Sequence, residues 1–231
     1  MYLIIGGSSD LGNKIANSLI KYDDIIITYR TKSNLKKIKP KNNNKIFYKK
    51  LDLNKLSSIK KFVLINKRLL NKVKFINLAT LTIDKLTHDL KFNDISNVFN
   101  VNLFSNIMLS KELVPIMIKQ NFGKFIFFTS TRGKRGDKGI SLYASSKQAL
   151  SGFSKCIAKE YASFNISSNC IRLGYFNTKL FNNISGDIKI KLKKEIPSKK
   201  LGNPNNITKA ILMLSNTDYI TGSEITIDGG I

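Results

Sequence analysis

An α/β fold built on a doubly wound parallel sheet of about seven strands is what this sequence predicts, and three observations predict it. Short apolar, β-branched runs recur along the chain without strict alternation, as strands buried on both faces should. Between them lie segments with apolar residues at three- and four-residue spacing, which read as amphipathic helices. A glycine-rich turn, Gly6-Gly7-Ser8-Ser9-Asp10-Leu11-Gly12, joins the first run to the first helical segment. Strand and helix in alternation give a parallel sheet with helices on both sides. Such sheets take ligands beyond the carboxyl ends of their strands, where the strand order reverses.

In chain order, the strands are expected at Leu3 to Ile5, Ile25 to Thr28, Ile46 to Lys49, Phe75 to Leu78, Phe125 to Thr129, Ser168 to Arg172 and Glu224 to Ile227. Helices are expected at Asn13 to Ile20, Leu56 to Leu69, Ile95 to Lys119, Ala144 to Ala162 and Asn205 to Leu214. The Lys/Asn-rich piece Lys36 to Lys45 reads as a surface connection, and no internal repeat is visible.

With 231 residues, 42% of them hydrophobic, the chain is long enough for one sizeable core, so residues 1–231 are read as a single domain. No stretch approaches the roughly 20 uninterrupted apolar residues of a membrane span. The apolar start Tyr2 to Ile5 runs into glycines rather than a cleavage site. A cytoplasmic protein with no membrane partner is therefore expected. Cys156 and Cys170 have no ligand-like spacing and read as buried structural thiols, with no metal site. The formal charge of +24 would ordinarily point to nucleic acid or other anionic partners. Here the lysines are spread along the whole chain and read as solvated faces, so no nucleic-acid partner is expected.

At the nucleotide end, the glycine turn allows close backbone approach, and the helix start beyond it offers N–H groups to a pyrophosphate. Close packing of strand on helix is the alternative use of such glycines. After the second strand comes Thr28-Tyr29-Arg30, where a site for unphosphorylated ribose would call for an acidic side chain. Arg30, helped by Lys32, suits a 2′-phosphate, so NADP(H) is favoured over NAD(H). A solvated loop charge is the alternative.

At the chemical end, Tyr143 and Lys147 are four apart on an expected helix, hence on one face. A cation beside a phenol favours phenolate, which lets the tyrosine exchange a proton with a carbonyl or alcohol oxygen. Chance supplies a second such pair, Tyr175 with Lys179. Ser130, at the carboxyl end of the apolar run Phe125 to Thr129, distinguishes the first pair: a strand-end hydroxyl can hydrogen-bond the substrate oxygen.

Ser130 together with Tyr143-Ala144-Ser145-Ser146-Lys147, behind a glycine turn, resembles the short-chain dehydrogenase/reductase family, a Rossmann fold. The resemblance covers essentially the whole chain. It implies that Asn102 in Val101-Asn102-Leu103 completes a catalytic tetrad through a water-linked proton relay, and that Tyr143 and Lys147 also touch the cofactor. It further implies cofactor contacts at Gly6, Ser8, Ser9, Leu11 and Gly12 of the turn and at Asp52 and Leu53. Asn77 and Ala79, after the fourth strand, pack against the cofactor, and Gly174 and Thr178 hold the nicotinamide amide. The tail Tyr219 to Glu224 through Asp228-Gly229-Gly230 matches the family's C-terminal signature. Asp10, Leu78, Thr80 and Leu173 depart from the usual pattern, and a carboxylate at position 10 would repel phosphate.

The implied reaction is hydride transfer between NADPH and a carbonyl carbon. Within the family, the pattern is similar to 3-oxoacyl-acyl-carrier-protein reductases. Arg132, Lys134, Arg135 and Lys138, with the lysines of Lys179 to Lys200, favour an anionic or carrier-bound substrate. Another small ketone, sugar or polyol derivative is the alternative, and a non-catalytic nucleotide sensor or nucleic-acid binder the distant one. His88 reads as a surface residue. The resemblance also implies a homotetramer or homodimer, with Ile95 to Lys119 and Ala144 to Ala162 as interface elements.

Overall fold

Seven strands form where the apolar runs stand, and they assemble into one wholly parallel sheet. The computed structural model describes residues 1–32, 35–178 and 186–231, with the backbone alone at 187, 188 and 191. The strands are β1 (Tyr2–Ile5), β2 (Ile25–Tyr29), β3 (Ile46–Lys50), β4 (Lys74–Asn77), β5 (Gly123–Ser130), β6 (Ile166–Leu173) and β7 (Glu224–Ile227). Their order across the sheet is β3-β2-β1-β4-β5-β6-β7. The order reverses between β1 and β4, which pair directly, with Ile5 opposite Asn77.

Two buried layers follow from the twofold alternation of a strand. Leu3, Ile5, Phe75, Phe125 and Phe127 face one side, and Tyr2, Ile4, Ile76, Ile126 and Phe128 face the other. The first side is covered by α2 (Leu56–Asn66), α4 (Ser105–Lys119) and α6 (Ser141–Tyr161), through residues such as Phe62, Leu113 and Leu150. The second is covered by α1 (Asp10–Leu19) and the last helix, α8 (Pro204–Asn216), through Ile15, Leu19, Ile207 and Ile211. Phe75 meets Phe125 and Phe127 edge-on at ring separations of 5.6 and 5.9 Å. Edge-on contacts of this kind hold aromatic rings in a fixed arrangement as well as burying them.

Helix boundaries differ from expectation at instructive places. The segment expected as one helix from Ile95 to Lys119 is α3 (Phe92–Phe99) and α4 joined by a wider π turn, Asn100–Phe104. That 28-residue run is apolar enough, by length and composition, to cross a membrane, but half of its most apolar window is buried inside the fold. Two short helices went unread: α5 (Thr131–Arg135) and α7 (Gly186–Glu195), the latter within the lysine-rich stretch. Cys156 is exposed, which corrects its reading as a buried thiol, whereas Cys170 is buried as expected. Leu150, Ser154, Ile157 and Ala158 form the buried stripe of α6, and position 156 lies off that stripe.

The turn from β1 into α1 passes directly over the end of β4. Gly6 has φ +73°, and a Cβ there would sit 2.6 Å from the backbone nitrogen of Ala79. Both conditions demand glycine. Gly6→Ala is accordingly expected to cost about 1–3 kcal/mol of stability, read as a lowered urea midpoint with unchanged slope.

Candidate functional site

The carboxyl edge of the sheet collects the residues that the sequence singled out. The glycine turn is closed by Ser9, which caps α1: its hydroxyl donates to the Gly6 carbonyl at 2.8 Å and accepts from the Gly12 N–H at 3.0 Å. A Cβ on Gly12 would meet the Gly6 oxygen at 2.4 Å, so turn and helix are in backbone contact. The Gly6 N–H donates to Thr28 Oγ1 at 3.1 Å, which ties the turn to β2. Ser8 and Leu11 are half-buried beside it. The first turn of α1 faces the cleft with the N–H groups and positive dipole end that any helix start carries. Asp10 stands in that turn, 3.1 Å from Lys14 Nζ. The repulsion expected of its carboxylate is thus offset by a neighbouring ammonium.

Arg30 follows β2 and is exposed. Asp52 follows β3, where its Oδ1 accepts from the Asn54 N–H at 3.1 Å, and its neighbour Leu53 is buried in the core. With Gly6 after β1 and Ala79 after β4, these residues line one edge of the sheet over adjacent strands. The turn's close approaches and the dipole end of α1 fit a dinucleotide's pyrophosphate, and a guanidinium at the end of β2 fits a phosphorylated ribose. Among the described residues there is no group of three or more His, Cys, Asp or Glu side chains that could hold a metal ion.

Beneath this edge runs a chain of buried amides. Asn77 accepts from the Ala79 N–H and donates to Asn106 Oδ1, both at 2.9 Å. Asn106 donates to the Asn102 carbonyl at 2.9 Å. Asn102, wholly buried on the π turn, accepts from the Leu81 N–H at 2.8 Å and donates to the Leu81 carbonyl at 2.9 Å and to Ser146 Oγ at 3.0 Å. Ser146 in turn donates to the Tyr143 carbonyl at 2.8 Å. The Asn102 side chain thus fixes Leu81 and Ser146 beside the site. Asn106 and Ser146 were missed. A polar side chain four residues beyond Asn102 on an apolar helix face was the available signal for the first.

At the other end of the cleft, Ser130 terminates β5, and Tyr143 and Lys147 stand one turn apart on α6. The Ser130 side chain lies close enough to the Tyr143 phenol to act on its proton affinity. Lys147 Nζ donates to the Phe128 carbonyl at 2.9 Å and lies 5.9 Å from the centre of the Tyr143 ring. Gly133 of α5 lets that helix lie on α6, since a Cβ there would be 3.2 Å from Lys147 Cβ. Gly174, after β6, packs on Asp228, where a Cβ would fall 2.6 Å from the Asp228 Cα. Asp228 also accepts from Thr131 Oγ1 at 3.2 Å, which places the C-terminal tail beneath the site. Thr178 is half-buried beyond Phe176. Of the competing pair, Lys179 lies outside the described residues. His88 is exposed, as expected.

Burial governs the two titrating groups. It raises the Tyr143 phenol above its ordinary 10, against the opposing pull of the Ser130 side chain and the Arg132 charge. It lowers the Lys147 amine from 10.5 to about 8. The depressed phenol expected from the tyrosine–lysine spacing is thus not the state of the free protein, because desolvation outweighs the neighbouring charges. Between about pH 8 and 10.5 the unfolded chain binds more protons than the folded one, so Lys147 makes stability rise with pH across that window. Lys147→Met is expected to stabilise the free protein by roughly 2–3 kcal/mol at pH 7, a gain that fades towards pH 10.5 and is read from urea unfolding at the two pH values.

The comparisons with known proteins agree with this geometry. The family pattern described as short chain dehydrogenase matches residues 1–189. The 3-oxoacyl-[acyl-carrier-protein] reductase FabG of Chlamydia trachomatis is 35% identical over 158 residues, 68% of this chain and 64% of that protein. Carbonyl reductase family member 4 of Xenopus laevis is 33% identical over 156 residues, 68% of this chain and 65% of that protein. These matched stretches fall just short of two thirds of the relatives' length. A second FabG, from Buchnera aphidicola subsp. Baizongia pistaciae, aligns over 99% of this chain and 96% of its own length at 33% identity. The crystal structure of a putative short-chain alcohol dehydrogenase from Sinorhizobium meliloti superposes with a TM-score of 0.87 at 22% identity, covering 99% of this chain and 94% of that one, a likeness of fold. With this sheet order, this site and the match over residues 1–189, the chain belongs to the short-chain dehydrogenase family.

Proposed function

We propose that the protein is an NADPH-dependent reductase that converts a carbonyl to an alcohol, with 3-oxoacyl thioesters on an acyl carrier as the leading substrate class. The observation that carries the reading is the cluster of Tyr143, Ser130 and Lys147 at the carboxyl edge of the sheet, next to a turn built for a dinucleotide. A bound nicotinamide supplies the hydride, chemistry the side chains do not provide. Tyr143 gives its proton to the carbonyl oxygen, and its raised proton affinity keeps that proton in place at neutral pH. Ser130 holds and polarises the same oxygen. Lys147 binds the ribose and supplies positive charge beside the phenolate left after transfer. Asn102 holds the relay water, and its side chain also fixes Leu81 and, through Ser146, the helix turn that carries Tyr143.

Arg30 at the end of β2 supports NADPH over NADH, since a guanidinium can take two phosphate oxygens at once. The substrate class is supported by the names of the FabG relatives and by the basic residues between Ser130 and Tyr143. A small ketone is the second reading: it is supported by the carbonyl reductase relatives and by Asp137, which pairs with both Arg132 and Arg135 and reduces the positive charge at the cleft mouth. In either reading the protein works in the cytoplasm as a homotetramer or homodimer, without nucleic acid or membrane.

Tyr143→Phe is expected to lower kcat at least ~100-fold while NADPH still binds, which NADPH absorbance and fluorescence follow separately. Near-normal turnover in that variant would overturn the assignment. Arg30→Glu is expected to weaken NADPH binding about tenfold or more and to leave NADH binding little changed, as read by titrating each cofactor. A panel of 3-oxoacyl thioesters and plain ketones separates the two substrate readings.

A further inference from the structure

The segment between Ser130 and Tyr143 holds one cation in an unusual setting. Arg132 lies two residues past Ser130 on α5, and the Gly133 contact lays that helix against the turn of α6 bearing Tyr143 and Lys147. Its side chain is 35% exposed, and its Nε donates to Asp137 Oδ2 at 2.9 Å. The other Asp137 oxygen accepts from Arg135 Nε at 2.7 Å, and Arg135 lies 3.6 Å from Glu195 of α7. Two arginines and two carboxylates thus form a balanced row that ties α5 to α7. Gly136, at φ +75°, ends α5 in the left-handed conformation and turns the chain so that Asp137 follows directly.

A guanidinium fixed through Nε keeps its two Nη groups as a planar, directed fork. Arg132 thus stands on a helix that follows Ser130 and rests on α6, and its charge acts on the phenols of both Tyr143 and Tyr175. A solvated surface charge would need neither the carboxylate clamp nor this position. We propose that Arg132 is a specificity-determining residue that donates from its Nη groups to a second oxygen of the substrate, a thioester carbonyl or a carboxylate, while Tyr143 and Ser130 hold the reacting carbonyl. The inference rests on the assignment of Tyr143 as proton donor. It narrows the substrate to dicarbonyl compounds or oxo acids, and it makes Asp137 the positioning residue for Arg132.

The test compares the unaltered protein with Arg132→Met and Arg132→Lys on acetoacetyl-pantetheine, on acetoacetate and on 2-pentanone, with NADPH. Arg132→Met is expected to lower kcat/KM about tenfold or more on whichever dicarbonyl the site reads, with 2-pentanone changed less than about threefold; Arg132→Lys recovers part of the loss. The thioester and acid arms tell the two sources of the second oxygen apart. In the direction of alcohol oxidation, the rising limb of the pH profile moves to higher pH in Arg132→Met, because the phenolate loses a stabilising cation. Among the described residues, Ser130 and Arg132 act on that phenol and Lys147 Nζ lies 5.9 Å from its ring centre, while Arg132 in turn feels Asp137, Tyr175 and Asp84. Equal losses on all three compounds, or an unmoved limb, would overturn the role of Arg132 and leave the reductase reading intact. If the unaltered protein turned over no carbonyl compound, both would fall together.

Discussion

The approach of two backbones at the centre of the sheet is the constraint on which the site depends. Where β1 and β4 diverge into α1 and the segment after Asn77, the chains come so close that no side chain fits between Gly6 and Ala79. That contact sets the height of the glycine turn above the strand ends. It also sets where the start of α1 points, and hence where an anionic group can be received. The buried amides continue the constraint downwards. Backbone groups at 79 and 81, which would otherwise be orphaned, find partners in Asn77 and Asn102, and Asn106 links those two. An unpaired group in such a place costs about 1–3 kcal/mol, so the chain is held together by what its breakage would expose.

Electrostatics follow a different logic from the rest of this basic chain. Lysines crowd the surface, yet the one that matters to the site is buried with a single carbonyl partner, Phe128 O, and loses much of its proton affinity there. The phenol beside it is pushed in the opposite sense. Each group is drawn towards its neutral form by the same desolvation. Elsewhere, buried charge is paired: Lys124, at the start of β5, meets Asp218 at 2.9 Å, and Arg172 of β6 pairs with Glu224 of β7. Among the described residues Lys147 is a buried cation with only a carbonyl partner, whereas Lys124 is paired near the amino end of β5 and Arg172 near the carboxyl end of β6, opposite Thr129.

Much of this was legible in the sequence because it rests on periodicity and on residues with narrow uses. The seven apolar runs became strands, since β-branched runs of four to eight residues between turns have few other homes. Ser130, Tyr143 and Lys147 were legible because a strand end and a helix face converge only in a fold whose connections are short. The π turn at Asn100–Phe104 was not legible: one extra residue in a turn leaves no mark on an apolar pattern that is already broad. Nor was α5, five residues long and mostly charged, whose form depends on its packing against α6. The Arg132–Asp137–Arg135 row escaped for a related reason. Its charges are near neighbours in sequence, and only the chain reversal at Gly136 turns them into a clamp.

The two sulfur atoms have unequal fates. Cys170 is sealed beneath α6, and its thiol is pushed up to about 12 by burial, so it is inert to electrophiles at ordinary pH. Cys156 stands in solvent on the outward side of the helix that bears Tyr143 and Lys147. A maleimide dye or spin probe would therefore attach at one defined point on the separate chain, and slower labelling would report that α6 is covered in an assembly. The molecule thus brings its own anchorage for spectroscopy along the very element that organises its chemistry.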